Sequence, residues 1–243
     1  TDITYSEETL LRGKKLVNKI WNVSKFIQMH LQDYQNKELN EFEYVDRWIL
    51  GNFIKMEKEF IKYLDNYEIG LALNTLEKFF WNFCDNYIEI VKHRLYRPEE
   101  FGEEARYSGQ KTIYILLYKL LQDFSIFFPF ITEEIYQDIF HDKKSIHITE
   151  IKPLNYSFNN EMLNGNLMCE IIGLVRGEKS SNNLSLKTPV KELNLDCSPC
   201  IKNAIKQSEK DFKATLFIEK LILNDIEKDY KINNIILDTE DLQ

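Results

Sequence analysis

The clearest chemical signal in the 243-residue sequence is a cationic stretch near its beginning that lacks acidic residues. Residues 9–32 carry five Lys or Arg side chains and no Asp or Glu, although 39 of the 243 residues are acidic and about four would be expected here. If the stretch is helical, four polar side chains share an arc of about 80° opposite the apolar residues: Arg12, Lys15, Lys19 and Asn22. Beside Trp21, such a ridge could follow a sugar-phosphate strand and stack a base. An ordinary solvated helix face would look the same.

Two further groups of cations could contact phosphate. The first comprises Lys92, His93, Arg94 and Arg97 at a predicted helix C-terminus, where the helix dipole alone also favours cations. The second comprises Arg176, Lys179 and Lys187, which flank the polar turn 180–183. Each group is also compatible with an ordinary surface helix end or connection.

No combination of residues predicts an active site or a metal centre. The four histidines are scattered without a spacing such as His-Glu-x-x-His. Cys197 and Cys200 form one Cys-x-x-Cys pair, whereas structural zinc needs two further ligands. Ser198 and Pro199 are better explained as the cap and first residue of a helix. We therefore expect no catalytic residue, metal ligand or cofactor in this chain.

Hydrophobic periodicity predicts a mainly α chain that carries these cations. Apolar residues recur at three- and four-residue steps over residues 7–33, 42–65, 69–96, 110–127, 132–140 and 160–180. Residues 97–109, with one proline, two glycines and four glutamates, predict a surface connection. Beyond Pro189, the runs 190–195, 215–223 and 232–237, with a helical segment 201–212, predict a small α+β subdomain. We place one domain at residues 1–154 and a second, the last long helix plus the α+β subdomain, at 155–243.

Composition narrows the class of protein. A formal net charge of −8 argues against a protein that coats nucleic acid or membrane with a uniform positive field. Four scattered cysteines fit a reducing, cytosolic setting. The most apolar stretch, 113–131, is interrupted by charged residues and a proline, which a membrane span rarely tolerates. A start at Thr1 without Met suggests a segment of a longer chain.

Four strings, in the correct order along the chain, resemble the anticodon-binding region of valyl-tRNA synthetase, a class I synthetase. The opening helix is similar in RGKKLVNKIWNVSKFI at residues 12–27, and the third helix in FWNFCDNYIEIVKHR at residues 80–94. The string FPFITEEIY at residues 128–136, followed by SIHIT at 145–149, is shared with isoleucyl and leucyl enzymes. The distal element is similar in VRGEKSSNNLSLKTPV at residues 175–190. The first two strings favour the valyl enzyme over the isoleucyl enzyme.

The chain also departs from the family pattern. The family more often shows an aromatic residue where Asn86 stands and a glutamate where Ser181 stands. The two signatures of the catalytic domain, His-Ile-Gly-His and Lys-Met-Ser-Lys-Ser, are absent. The resemblance therefore concerns the tRNA-binding end of such an enzyme without its chemistry.

The resemblance implies an antiparallel helical bundle of the class I anticodon-binding type, followed by a small α+β subdomain. It implies recognition of a tRNA anticodon stem-loop, that of tRNA-Val, and contact with the remaining domains of the parent synthetase, with neither membrane nor DNA as a partner. The parent would be a cytoplasmic ligase that uses ATP and Mg²⁺ to esterify valine to tRNA. The candidate tRNA-binding residues are Arg12, Lys15, Asn18, Lys19, Trp21, Asn22, Lys25, Lys92, Arg94, Arg176, Lys179 and Lys187.

Two alternatives stay open at the level of sequence. One is the anticodon-binding region of another class I synthetase, isoleucyl or leucyl. The other is a helical protein-interaction module that binds no RNA and uses Trp48 or Trp81 to anchor a partner. The acid-free first helix favours RNA, because a protein-binding surface has no need to exclude carboxylates.

Overall fold

A computed structural model describes residues 6–142 and 144–238 as a helical bundle followed by a small sheet flanked by two helices. Thr1, on which the prediction of a longer parent chain rests, lies outside the described residues. The bundle comprises α1 (Glu7–His30), α2 (Tyr44–Asp65), α3 (Ile69–Asn82), α4 (Ile88–Tyr96), α5 (Pro98–Phe101), α6 (Glu103–Phe124), α7 (Pro129–Phe140) and α8 (Asn159–Ser181). The sheet region comprises β1 (Val190–Cys197), α9 (Pro199–Gln207), α10 (Glu209–Leu216), β2 (Ile218–Asp225) and β3 (Tyr230–Leu237). The predicted fold class is confirmed.

The apolar stripes of the helices form the bundle core. In α1 the buried positions recur every three or four residues, at Leu16, Ile20, Val23 and Ile27, which leaves the opposite side of α1 in solvent. Trp48 of α2 is completely buried, and its indole N–H donates to Asn166 Oδ1 of α8 at 2.7 Å. The prediction that Trp48 could anchor a partner protein is therefore wrong. None of the helices in the described ranges is long and apolar enough to cross a membrane.

A π-helical turn, Phe83–Tyr87, joins α3 to α4 without a break. The rings of Phe83 and Tyr87 stack in the core with centroids 5.7 Å apart. The extra residue in this turn leaves Asp85 on the exposed side, facing α1. Such turns frequently occur at functional sites.

The predicted surface connection at 97–109 is wrong, because α5 and the start of α6 occupy most of it. Ser108, Gly109 and Gln110 are buried, and a Cβ at Gly109 would lie 2.7 Å from Val91 Cγ2 of α4. This close approach lets α6 pack on α4, and α6 begins about two turns before residue 110, where its apolar periodicity begins. Glu103 and Glu104 lie in the first turn of α6, where the helix dipole favours them.

The sheet has the strand order β2-β1-β3. β1 pairs with β2 in parallel, with α9 and α10 as the crossover, and with β3 in antiparallel. The predicted helix 201–212 is divided at Ser208, whose hydroxyl donates to the Ala204 carbonyl. The predicted strand 215–223 begins only at Ile218, because Phe217 ends α10 in a left-handed conformation.

Helix α8 connects the bundle to the sheet region. It packs along α2, where Gly165 lies against the indole of Trp48, and it also contacts α9 and α10. The predicted boundary between residues 154 and 155 falls in the extended segment before α8. The division into domains 1–154 and 155–243 stays a prediction.

Candidate nucleic-acid interface

Two cations of the α1 ridge lie at its border with α3 and are paired with carboxylates there. The Arg12 guanidinium donates to both Glu77 carboxylate oxygens, at 3.1 and 2.6 Å, and to Asn74 Oδ1. Lys19 Nζ lies 3.0 Å from Asp85 Oδ1 of the π-helical turn and 5.4 Å from the Trp81 ring centroid. The Arg12 side chain and both members of the Lys19–Asp85 pair are accessible to solvent, whereas Glu77 is buried. These cations therefore reach a bound strand only if phosphate competes with a carboxylate.

On its other flank, α1 presents a tryptophan and a lysine together. Trp21 is 38% exposed, and Lys25 Nζ lies 4.7 Å from its ring centroid. Lys25 also donates to Asp138 Oδ2 of α7 at 2.8 Å, and hydrogen bonds from Lys25 and Gln28 hold the pKa of Asp138 below its usual range. The half-exposed indole offers a stacking face for a base, with a cation beside it.

Between these flanks runs an exposed strip of α1 that carries Lys15, Asn18 and Asn22. Lys15 makes no ion pair with the residues that the structure describes. Asn18 and Asn22 are one turn apart and point from the same side of the helix. An amide side chain both donates and accepts, as base edges require. The strip thus combines one unpaired cation with two groups able to form hydrogen bonds to bases.

Beyond Asp85, the interface continues onto α4 and α8. Arg176 of α8 donates to the Asp85 carbonyl oxygen at 3.4 Å, and Lys92 is paired with Glu89 of its own helix. Burial, together with the Arg97 guanidinium, lowers the pKa of His93 to about 4. His93 is therefore neutral at physiological pH and adds no charge to this group of cations.

The prediction that Arg94 binds RNA is wrong. Its side chain is 1% exposed, and it donates to both Asp46 carboxylate oxygens at 2.9 Å and to the Ala105 carbonyl at 3.0 Å. Its Nε lies 3.0 Å from Asp211 Oδ1 of α10. Because every contact is internal, Arg94 joins α2, α4, α6 and α10 and cannot touch RNA.

The prediction that Lys179 binds RNA is also wrong. It is completely buried in α8, where Nζ donates to the carbonyls of Leu186 at 3.1 Å and Leu216 at 2.7 Å. Burial lowers its pKa to about 8. Lys179 therefore holds the connection after α8 to the end of α10, while Lys187 lies exposed on that connection.

Sequence reasoning missed the carboxylates that meet the α1 cations. Glu77, Asp85 and Asp138 come from three other elements, and each lies more than 60 positions from its partner. Because residues 9–32 contain no acidic side chain, the cations of this part of α1 find their carboxylate partners on other elements. That signal predicts that such partners exist but not which residues they are.

The described residues contain no group of three or more His, Cys, Asp or Glu side chains able to hold a metal ion. Chemically, the interface offers cations, amides and an indole on one side of the bundle. Groups of these kinds can bind and orient a ligand.

Comparison with known proteins assigns the family. Residues 46–194 match the family model described as the anticodon-binding domain of tRNA ligase. The chain belongs to this family. It is similar to the valine–tRNA ligase of Rickettsia conorii, with 38% identity over 211 residues that cover 80% of this chain and 25% of that protein. The corresponding enzyme of Rickettsia prowazekii is 37% identical over 237 residues, 88% of this chain and 28% of that protein.

These matches confirm the predicted resemblance to the anticodon-binding region of valyl-tRNA synthetase. The valine–tRNA ligase of Rickettsia felis gives the same result, 36% identity over 236 residues. The chain spans about a quarter of the length of the curated relatives it matches.

Proposed function

We propose that this chain binds the anticodon stem-loop of a tRNA, and that the tRNA is tRNA-Val. The observation that carries the proposal is the exposed side of α1 from residue 9 onward, which lacks carboxylates and carries Lys15, Asn18 and Asn22 in one strip. A family of anticodon-binding domains supplies the class of ligand.

The interface supports a division of labour between its groups. Lys15, helped by Arg12, Lys19 and Lys25, contacts phosphates, while Asn18 and Asn22 bond to base edges and Trp21 stacks a base. Unpaired loop bases can be splayed out and recognised in this way, and a rigid bundle fixes the positions at which they bind. Stacking contributes about 1–3 kcal/mol per base. Lys92, Arg176 and Lys187 are candidates for phosphates at the margin.

The net charge of −8 does not prevent this binding. At physiological salt the field of distant carboxylates is damped over about 8 Å, so that groups within contact distance decide. Three carboxylates, Glu77, Asp85 and Asp138, are paired with α1 cations. Their position makes them competitors of the RNA phosphates.

The function belongs to a larger cytoplasmic ligase that activates valine with ATP and Mg²⁺ and esterifies it to tRNA. In that enzyme this chain would supply recognition and positioning of the tRNA, and the other domains would supply catalysis. The described residues offer no group that fits a metal ion, so no catalytic step is assigned to them.

Fluorescence anisotropy with a labelled anticodon stem-loop of tRNA-Val tests the proposal. The 243-residue chain should bind it saturably, and the affinity should fall as salt rises from about 50 to about 200 mM, with a slope of log affinity against log salt of about −0.7 for each phosphate contacted. A hairpin with the same stem but a scrambled loop sequence should bind more weakly. Undetectable binding at the lowest salt, or binding insensitive to salt, would overturn the proposal.

A further inference from the structure

A cleft of about 640 Å³ opens where α5, α10 and the start of β2 meet. Its apolar lining is formed by Phe101 of α5, Ala214 of α10, Phe217 and Ile218. Both phenylalanine side chains line the open space and are only partly buried. The cleft therefore offers aromatic surface to a flat ligand in a region for which the sequence predicts no site.

Cations surround this lining. Arg97 lies with its guanidinium carbon 5.7 Å from the Phe101 ring centroid, and Lys210 and Lys213 project from α10. Two carboxylates share the rim: Glu100 is 2.9 Å from Arg97, and Glu209 is 3.8 Å from Lys213. The three cations exceed the two carboxylates, and Lys210 bonds only a backbone carbonyl at the rim, that of Glu100 at 3.4 Å.

Phe217 is held in a conformation that its side chain disfavours. Its φ and ψ angles, 57° and 46°, lie in the left-handed region, where a residue other than glycine is strained by about 1–2 kcal/mol. Backbone bonds fix it: its N–H donates to carbonyls of α10, and its carbonyl accepts from Val190 N at 2.8 Å. Lys179 Nζ lies 5.6 Å from the ring centroid, and the His93 ring meets it edge-on at 5.9 Å. These contacts hold the Phe217 ring in one orientation before a ligand binds.

Side-chain contacts lie between the cleft and the interface on α1. Lys19 contacts the Asp85 side chain, and Arg176 contacts the Asp85 carbonyl. The Arg97 guanidinium lies 2.9 Å from His93 Nδ1, and His93 contacts Phe217. Arg176, which touches Asp85, and His93, which touches Phe217, thus lie between α1 and the cleft, on the path that a strand held on α1 would take.

We propose that the cleft binds one unpaired nucleotide of the same RNA, with the base against Phe101 and Phe217 and the adjoining phosphate on Lys210 and Lys213. A carboxylate of the rim would accept a hydrogen bond from an exocyclic amino group of the base. This inference rests on the proposed function, and it extends RNA contact beyond residue 154.

Removing the cations of the cleft is the first test. In the double variant Lys210→Ala/Lys213→Ala, the affinity for the anticodon stem-loop should fall about 5-fold per lysine at about 100 mM salt, and the salt slope should become shallower by about 0.7, because the two lysines share one phosphate. Lys206→Ala, an exposed lysine of α9 outside the cleft, is the matched control and should bind like the unaltered chain. Circular dichroism establishes that each variant is folded.

A base probe is the second test. RNAs with 2-aminopurine at single loop positions should show one position whose fluorescence is quenched on binding, and Phe101→Ala should abolish that quenching and weaken binding at least about 5-fold. If a free mononucleotide bound the cleft at micromolar concentration and was lost in the lysine double variant, the cleft would be a nucleotide site of its own, and the proposal would be wrong.

The outcomes separate this inference from the proposed function. If Lys15→Glu weakens RNA binding while the lysine double variant binds normally, the cleft is not part of the RNA footprint and the function stands. If the unaltered chain binds no RNA at all, both fail together. Weakened binding in both variants, with Lys206→Ala unaffected, supports both.

Discussion

Replacing Asp85 by asparagine should strengthen RNA binding, which is the opposite of what loss of a structural contact would do. Asp85 holds Lys19 at 3.0 Å in a pair whose carboxylate side chain is 57% exposed. A phosphate that approaches Lys19 meets this carboxylate as a competitor. Asparagine keeps the shape and removes the charge.

The magnitude follows from simple electrostatics. Two unit charges about 5 Å apart in a water-like dielectric repel by about 1 kcal/mol, so that loss of the Asp85 charge should raise RNA affinity about 4-fold. If Lys19 then contacts a phosphate fully, the salt slope steepens by about 0.7. The stability of the fold should change by no more than about 1 kcal/mol, because exposed ion pairs contribute little.

Anisotropy titrations with the anticodon stem-loop at several salt concentrations measure both quantities, and thermal unfolding checks the fold. Glu59→Gln is the matched control, since it removes one negative charge from an exposed position on α2. An Asp85→Asn variant that is folded yet binds RNA no better than Glu59→Gln would refute the assignment of Lys19 as a phosphate contact.

Three further predictions concern single side chains. Lys15→Glu should lower RNA affinity about 10-fold or more at about 100 mM salt, because an attractive contact with phosphate becomes a repulsion. Lys58→Glu on α2 is the control and should have little effect. Equal losses of affinity in the two variants would argue against a direct contact between Lys15 and RNA. Arg94→Met should lower the free energy of unfolding in urea by about 3–5 kcal/mol, because two buried carboxylates lose their partner; a loss below about 1 kcal/mol would contradict the internal role. Burial raises the pKa of Asp123 to about 8, whereas in the unfolded chain it is about 3.9. The folded state therefore keeps a proton between these values, and the free energy of unfolding should fall with rising pH there, by up to about 1.4 kcal/mol per pH unit. Asp123→Asn should flatten this dependence, and an unchanged slope would assign it to other groups.

Much of the fold is encoded in local periodicity and was accessible from the sequence. The stripe from Leu16 to Ile27 predicts α1 and its buried side, and α1 ends at His30, within three residues of the predicted end. The start of α6 was not accessible, because residues 103–107 are polar and their helix depends on the tight approach of Gly109 to Val91. Tertiary packing, rather than local pattern, decides that boundary.

The candidate site was predictable only where burial follows from helix phase. Lys15, Asn18 and Asn22 lie exposed, as their position opposite the apolar stripe indicates. Arg94 lies at a helix C-terminus, where a cation normally indicates a surface, yet its partner Asp46 is 48 residues away and both are buried. A single sequence does not reveal such a pair. Burial of Arg94 is possible only because Asp46 is buried beside it, and nothing in the local sequence of either residue indicates the other.

Site-specific cross-linking tests the central claim most directly, since it records which helix meets the RNA. An anticodon stem-loop with 4-thiouridine at its loop positions is bound to the 243-residue chain, and the complex is irradiated. The cross-linked peptides are then identified by mass spectrometry. We expect cross-links to the part of α1 that carries Lys15 and Trp21. Cross-links confined to other surfaces, with α1 unmodified, would contradict it.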